Sequence, residues 1–240
     1  MPTYTVKLKS RQEIARETMA FHFEKPDDFY FKPGQTIDLT LIDPPESDAQ
    51  GNSRVFSIAS APYERDLIIA TRVRNSAFKR TLRTMAVGAE VKIEGPFGEL
   101  TLHDNPDIPA VFLTGGIGIT PFRSIVLQAA NDKSSHHLSL FYSNRRPEEA
   151  AFLKELSGLE SINRKFELVA TMTQLEEDSH AWQDERGPIN LPMLEAHLDH
   201  LATPVFYIAG PPRMVIAMRK LLKEAEVSSK NVRFEEFSGY

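Results

Sequence analysis

Three glycines fall within four positions at Gly115-Gly116-Ile117-Gly118, between the apolar run 110–113 and a helical pattern that begins near Pro121. Glycine turns sharply and leaves no side chain between the backbone and a ligand. A helix that starts there aims free N–H groups and the positive end of its dipole at the same spot, so the expected chemistry is phosphate binding. Pro121 suits the first helical turn, where its missing N–H costs nothing. The spacing is neither G-x-G-x-x-G nor a Walker loop, because no Gly-Lys-Ser/Thr follows. A strand–helix turn without a ligand is the competing reading.

Two further stretches carry chemically useful groups. In Arg54-Val55-Phe56-Ser57 a regular strand puts Arg54 and Phe56 on one face, with Val55 and Ser57 on the other. An arginine pairs with phosphate, an aromatic face stacks on a flat ring, and a serine hydroxyl bonds a heteroatom. The alternative is a solvated arginine beside a core phenylalanine. Between Arg72 and Lys79, Ser76 reads as the N-cap of a short helix whose first N–H groups again face an anion. A capped surface helix with basic side chains in water fits that stretch equally well.

Behind these residues stand two kinds of element. Over the first hundred residues, alternating patterns (Tyr4, Val6, Leu8; Met19, Phe21, Phe23) and runs at 37–42, 54–60, 66–73 and 91–94 read as short strands. Phe78, Leu82 and Met85 mark one helix among them, and the set suggests a six-stranded antiparallel barrel. The polar, proline-bearing stretch 103–109 is a connector. After it, strands at 110–113, 138–142, 166–170, 205–209 and 232–237 alternate with helices. Those helices are expected from Pro121, over 147–156, around Leu194, Leu198 and Leu201, and over 213–225. Such alternation implies a parallel sheet with helices on both faces. The expected fold is therefore two-domain: an antiparallel β-barrel over 1–104 and an α/β parallel-sheet domain over 105–240.

Ligands of a parallel sheet collect beyond the carboxyl ends of its strands. Those ends are 114–120, Ser143 to Arg146, 171–173 and Gly210-Pro211-Pro212, the last stopping a buried strand abruptly. Four such ends on one rim read as a nucleotide crevice. Composition excludes other classes. The 240 residues carry a net charge of −5 without a basic stripe, which gives no nucleic-acid footprint. Zero cysteines excludes disulfides, thiolate catalysis and cysteine-held metal clusters. The opening is polar and no apolar run approaches a membrane span, so a cytoplasmic location is expected. His136 and His137 point to opposite faces of a strand and make a poor metal pair. His197 and His200 lie at i, i+3, and a solvated helix face is the reading preferred over a shared ligand, so no metal site is assigned. Trp182 either supports an adenine ring or anchors its loop.

In order, these motifs resemble the ferredoxin–NADP reductase-like flavin reductases, and the resemblance covers nearly the whole chain. Arg54 to Ser57 resembles the family's R-x-Y-S, Gly95-Pro96-Phe97-Gly98 its G-P-F-G turn, and Thr114 to Pro121 its T-G-G-x-G-x-x-P loop. Tyr207 to Pro211 resembles Y-x-C-G-P, and Glu235-Glu236-Phe237 the acidic–aromatic close. The resemblance implies an FAD barrel over 1–104 and an NAD(P) domain over 105–240, with FAD in preference to FMN. Arg54 would hold the FAD pyrophosphate, Phe56 would stack on the flavin beside Val55, and Ser57 would bond near its reactive nitrogen. Arg72, Ser76, Lys79 and Gly95 would complete the flavin side. Thr114, Gly115, Gly116, Gly118, Thr120, Pro121, Ser143, Gly210 and Pro211 would line the dinucleotide. Phe237, or Tyr240, would cover the flavin, with Glu235 close by; Ser57, Glu235 and Phe237 are the catalytic candidates.

Departures from the family pattern qualify these roles. Phe56 replaces a tyrosine, Ala209 stands where cysteine is frequent, and Ser76 to Lys79 lacks the family's G-x-x-S/T. Arg145 and Arg146 follow the second sheet strand, where they would grip a 2′-phosphate, which favours NADPH over NADH; pairing with Glu148 or Glu149 is the alternative. The implied activity is hydride transfer from NAD(P)H to flavin, then electron release to a separate acceptor: ferredoxin, flavodoxin, a ferric chelate, a quinone or free flavin. An electron-delivery subunit with little turnover of its own is the alternative.

Overall fold

The computed structural model describes residues 2–175 and 182–237, which form two compact units. The first comprises residues 1–101 together with 120–128. Its strands are β1 (Thr3–Ala15), β2 (Thr18–Glu24), β3 (Thr36–Leu41), β4 (Ser53–Ser57), β5 (Asp66–Arg72) and β6 (Glu90–Phe97), with helix α1 (Ala77–Thr84) before β6. They form one antiparallel sheet in the order β4-β3-β6-β1-β2-β5.

The long β1 explains how that sheet curls. Its first part, Thr3 to Lys7, pairs with β6, and Leu8 to Ala15 pairs with β2 across two register irregularities. Such irregularities bend a strand and raise its twist. Beyond the end of β4, the Ala59 N–H donates to the Ile68 carbonyl of β5 (2.8 Å), joining the two ends of the strand order. Alternating inward residues then share one core: Val6 and Leu8, Phe21 and Phe23, Ile37 and Leu39, Leu67 and Ile69, Val91 and Ile93. Phe78 and Leu82 plug it from α1. The structure thus has the six-stranded barrel expected, with β4 stopping at Ser57 and β6 running on through Gly95-Pro96.

Residues 120–128 also belong to this unit. There Arg123, only 4% exposed, donates to the Ala59 carbonyl (2.7 Å) and forks onto Glu64 (2.8 and 3.0 Å). Ser124 donates to the Ser60 carbonyl at 2.7 Å.

The second unit comprises residues 102–119 and 129–240. It contains β7 (Ala110–Gly115), β8 (Leu138–Asn144), β9 (Phe166–Met172), β10 (Glu185–Arg186), β11 (Val205–Gly210) and β12 (Val232–Glu236), all parallel, in the order β10-β9-β8-β7-β11-β12. Its helices are α3 (Leu153–Leu159), α4 (Leu191–His197) and α5 (Pro212–Glu224), and α2 (Ile119–Asn131) starts and ends in it. Every residue of β7 and β11 is buried, as continuous apolar runs in a doubly covered sheet must be.

Two helices differ from the sequence reading. The expected helix over 147–156 is a 3₁₀ turn at Pro147–Glu149, and α3 starts only after Phe152, whose φ of 61° interrupts the right-handed spiral. The helix expected through Leu201 stops at His197, and Leu198 and Leu201 pack on the core from the bent, non-helical chain beyond. Apolar spacing alone does not separate a helix from a segment that merely drops leucines onto a helix-covered face.

Candidate functional site

On the barrel, Arg54 projects from β4 toward the loop that precedes it. Its Nη1 donates to the carbonyls of Gln50 (2.9 Å), Gly51 (2.9 Å) and Ser53 (2.7 Å), and Nη2 donates to Asp48 Oδ1 (3.1 Å). The guanidinium also lies over the Phe78 ring, 5.1 Å from its centre. An arginine has five N–H donors. Among the described residues the Nε–H and one Nη2–H make no hydrogen bond.

Helix α1 begins beside this arginine. Ser76 caps it, accepting from the Lys79 N–H at 3.3 Å, as its residue type and place require. The N–H of Ala77, the first helical residue, donates to Asp48 Oδ2 (3.1 Å). Lys79 is half-buried, and its ammonium is held below the ordinary lysine range by that burial, then by Arg74 and Arg54. Three cations crowded at a helix start favour an anion. Asp48 supplies one negative charge there, held below the usual carboxylate range by the Gln50 N–H, then by Arg54 and the Ala77 N–H.

The other barrel candidates divide. Ser57 is buried, and among the described residues its Oγ finds no hydrogen-bond partner, an orphan that a ligand heteroatom would satisfy. Val55 is 64% exposed for an apolar side chain. Phe56 is half-buried, packing against the barrel core with its ring 5.9 Å from that of Phe78. Gly95 is fully buried at a φ of 146°, with Thr36 and Ile37 close about it. Arg72 ends β5 half-buried.

In the second unit the glycine loop follows β7 as a 3₁₀ turn, Gly116–Gly118, with Gly116 at a φ of 55°. The structure adds a packing reason for its glycines. A Cβ on Gly118 would stand 2.4 Å from the Ala209 carbonyl oxygen, and one on Gly115 would stand 2.6 Å from Met214 Sδ. Gly210, at a φ of 151°, lies against Gly115. These glycines therefore let the ends of β7 and β11 close on each other. Thr114 is fully buried and donates its hydroxyl to the Ala209 carbonyl (2.9 Å), so that hydroxyl bonds the sheet. Tyr142 donates toward the Gly116 and Ala151 carbonyls, both at 3.1 Å, which ties the loop to β8. Thr120 and Pro121 are buried in the first turn of α2.

Near the carboxyl end of β8 Ser143 is half-buried within the strand, and beyond that end Arg145 is exposed and Arg146 half-buried. Asn144, absent from the sequence-based candidates, is 5% exposed, and neither of its amide atoms finds a hydrogen-bond partner among the described residues. Pro211 is half-buried at the start of α5. Glu235, level with Ala209 on β12, has its carboxyl pushed up by burial. Phe237 follows, half-buried, its N–H donating to the Gly210 carbonyl (3.0 Å), while Tyr240 lies outside the described residues.

The histidine and tryptophan candidates have structural partners. His197 sets its two ring nitrogens against carboxylate acceptors, Nδ1 to Glu167 (2.8 Å) and Nε2 to Glu185 (3.4 Å), instead of facing only water. The Trp182 indole donates to the Glu185 carbonyl (2.9 Å), which anchors its loop. Among the described residues no group of acids, histidines and cysteines is placed to hold a metal, and no helix is long and apolar enough to cross a membrane.

Residues 112–220 match the family model of the oxidoreductase NAD-binding domain, a span that runs from β7 through most of α5. The match covers just under half of the chain. It is 27% identical over 224 residues to the glycine betaine monooxygenase reductase subunit of Chromohalobacter salexigens, covering 92% of this chain and 60% of that one. It is 30% identical over 186 residues to a subunit of the Na(+)-translocating NADH-quinone reductase of a Marinomonas species, covering 76% of this chain and 44% of that one. The chain thus spans roughly half the length of these curated relatives. The same fold occurs in the flavohem-like FAD/NAD binding domain of nitric oxide dioxygenase from Vibrio cholerae (TM-score 0.82, 22% identity, 97% of this chain and 98% of that one). It occurs too in a ferredoxin NADP+ reductase from Neisseria gonorrhoeae with bound FAD and NADP (TM-score 0.80, 20% identity, 98% of each chain).

Proposed function

We propose that this chain is an NAD(P)H-dependent flavoprotein reductase that passes electrons to a separate acceptor. The single observation that carries this reading is the cationic start of α1. There Arg54 and Arg74 lie near Lys79, and Arg54 pairs with Asp48, on a barrel followed by an oxidoreductase NAD-binding domain. FAD, when bound, accepts hydride from reduced nicotinamide and releases electrons one or two at a time.

The protein's own groups would bind and orient. The two remaining N–H groups of Arg54 would hold a phosphate of the flavin nucleotide, with Ser76 and Lys79 completing that seat. The Ser57 hydroxyl would bond the edge of the flavin ring, and Phe56 and Val55 would offer apolar contact. In the domain proposed over 105–240, the backbone of 115–118 and the start of α2 would take the dinucleotide phosphates. Gly210 and Pro211 would leave room for the nicotinamide, with Glu235 and Phe237 at its border. Burial keeps the Glu235 carboxyl readier to hold a proton than an exposed glutamate.

The test is a spectrum. Protein reconstituted with FAD should show a flavin band that bleaches on anaerobic addition of NADPH or NADH. A protein that takes up neither FAD nor FMN overturns the proposal. The relatives' names suggest a second reading, since both are subunits: the chain would deliver electrons only within a larger assembly. Stopped-flow bleaching followed by slow reoxidation with every small acceptor tried would favour it.

A further inference from the structure

The loop before β4 brings a carboxylate to Arg54 and to the start of α1. Asp48 Oδ1 accepts from Arg54 Nη2 (3.1 Å) and from the Gln50 N–H (3.0 Å), and Oδ2 accepts from the Ala77 N–H at the start of α1 (3.1 Å). A second link, Glu46 with Arg80, holds the same loop to the same helix. Among the described residues Arg54 is left with two N–H groups, its Nε–H and one Nη2–H, because the three loop carbonyls engage Nη1 and Asp48 takes the other Nη2–H. So a phosphate arriving at Arg54 meets at most two N–H donors and, on the same Nη2, a fixed negative charge.

We propose that Asp48 is a specificity-determining residue that selects the pyrophosphate of FAD over the terminal phosphate of FMN. The inference rests on the flavoprotein reading above. Each phosphorus of a pyrophosphate diester carries one negative charge, whereas a phosphomonoester carries about −1.5 to −2 at pH 7, with its second pKa near 6. A carboxylate beside two N–H donors suits the singly charged group and repels the extra charge of the other. Asp48 positions and screens Arg54; it does not touch the ring chemistry. The charged groups around Asp48 are Arg54, Glu46 and Arg80, with Lys79 near Arg54 and Arg74, and of these only Glu46 adds to the repulsion. Asp48 itself, held below the ordinary carboxylate range, stays ionised through the titration of FMN.

The experiment is a titration of the flavin-free, full-length chain with FAD and with FMN, followed by quenching of flavin fluorescence. In the wild type FAD should bind more tightly than FMN, and the preference should shrink as the pH falls from about 7.5 to 5.5 across the phosphate pKa. Asp48→Asn should tighten FMN about tenfold more than FAD and flatten that pH profile, the size expected for removing one charge near a solvated ion pair. Asp48→Glu, which keeps the charge, should retain the wild-type preference. An Asp48→Asn protein that weakens both flavins alike, or leaves their ratio within about twofold of wild type, overturns the assignment. A wild type that quenches neither flavin overturns the flavoprotein reading instead.

Discussion

Tyr142 on β8 reaches the Gly116 carbonyl across 3.1 Å, so the phenol of one strand fixes the loop that follows its neighbour. The ring is fully buried, and its oxygen also stands 3.1 Å from the Ala151 carbonyl. Tyr142→Phe removes the donor and leaves two carbonyls short of it. The expected loss of stability is about 1 kcal/mol. If the loop binds dinucleotide phosphates, the KM for the nicotinamide nucleotide should rise severalfold with kcat little changed. Urea denaturation and steady-state kinetics on the same preparation check both.

Gly118 gives a sharper steric prediction. A methyl group there would stand 2.4 Å from the Ala209 carbonyl oxygen, an approach that only backbone movement relieves. Gly118→Ala should cost about 2 kcal/mol or more, measured by chemical denaturation. Gly187 has a φ of 86° and open space where a methyl would go, so Gly187→Ala isolates the backbone effect and should cost less.

The Arg123–Glu64 pair is the strongest buried charge relationship in the barrel unit, with side chains 5% and 19% exposed. Removing one partner strands the other. Arg123→Met should therefore destabilise by about 3–5 kcal/mol, and adding Glu64→Gln should recover part of that. Thermal unfolding of the two single variants and the double variant measures the coupling.

Two histidines should give pH dependences of opposite sign. His197 is disfavoured as a cation by burial, but its bonds to Glu167 and Glu185 outweigh that and raise its pKa above 6.5. Its contribution is complete below the unfolded value and is lost as pH rises through the higher folded one. His136 is lowered, first by burial and then by His103, with Nε2 against the His103 carbonyl (2.9 Å). Its contribution is present above about pH 6.5 and is lost as pH falls through the lower folded value. Denaturation between pH 5 and 8.5 should show His197→Gln least damaging at high pH and His136→Asn least damaging at low pH.

What is legible in the sequence depends on whether a residue's partner is local. The Ser76 cap, the β7 run and the Gly-Pro stop after β11 are set by neighbours within a few positions, and all three stand where the pattern puts them. Asp48 reads only as part of a polar loop, because its partners, Arg54 and the Ala77 N–H, are brought to it by folding. The glycines of the 115–118 loop are legible as a turn. Their packing against Ala209 and Met214 is not, since β11 lies more than ninety residues away. Asn144 gives no signal at all: one amide in a strand looks like any other until its burial is known. Phe152 breaks the helix expected over 147–156 by adopting a left-handed backbone that its residue type does not announce.

Arg145 and Arg146 offer the clearest test of nucleotide choice. They follow β8 directly, one exposed and one half-buried, beside the buried Asn144 amide. A 2′-phosphate is the only group that distinguishes NADPH from NADH, so a residue that recognises it must affect one nucleotide and spare the other. Charge-assisted contacts of guanidinium with phosphate are among the stronger hydrogen bonds, at about 1.5–3 kcal/mol each. Replacing both arginines with alanine should therefore raise the KM for NADPH by about tenfold or more. The KM for NADH should stay within about twofold, since the rest of the dinucleotide would keep its seat on the 115–118 loop. Equal changes for the two nucleotides would assign both arginines to the protein surface and leave the preference to other residues.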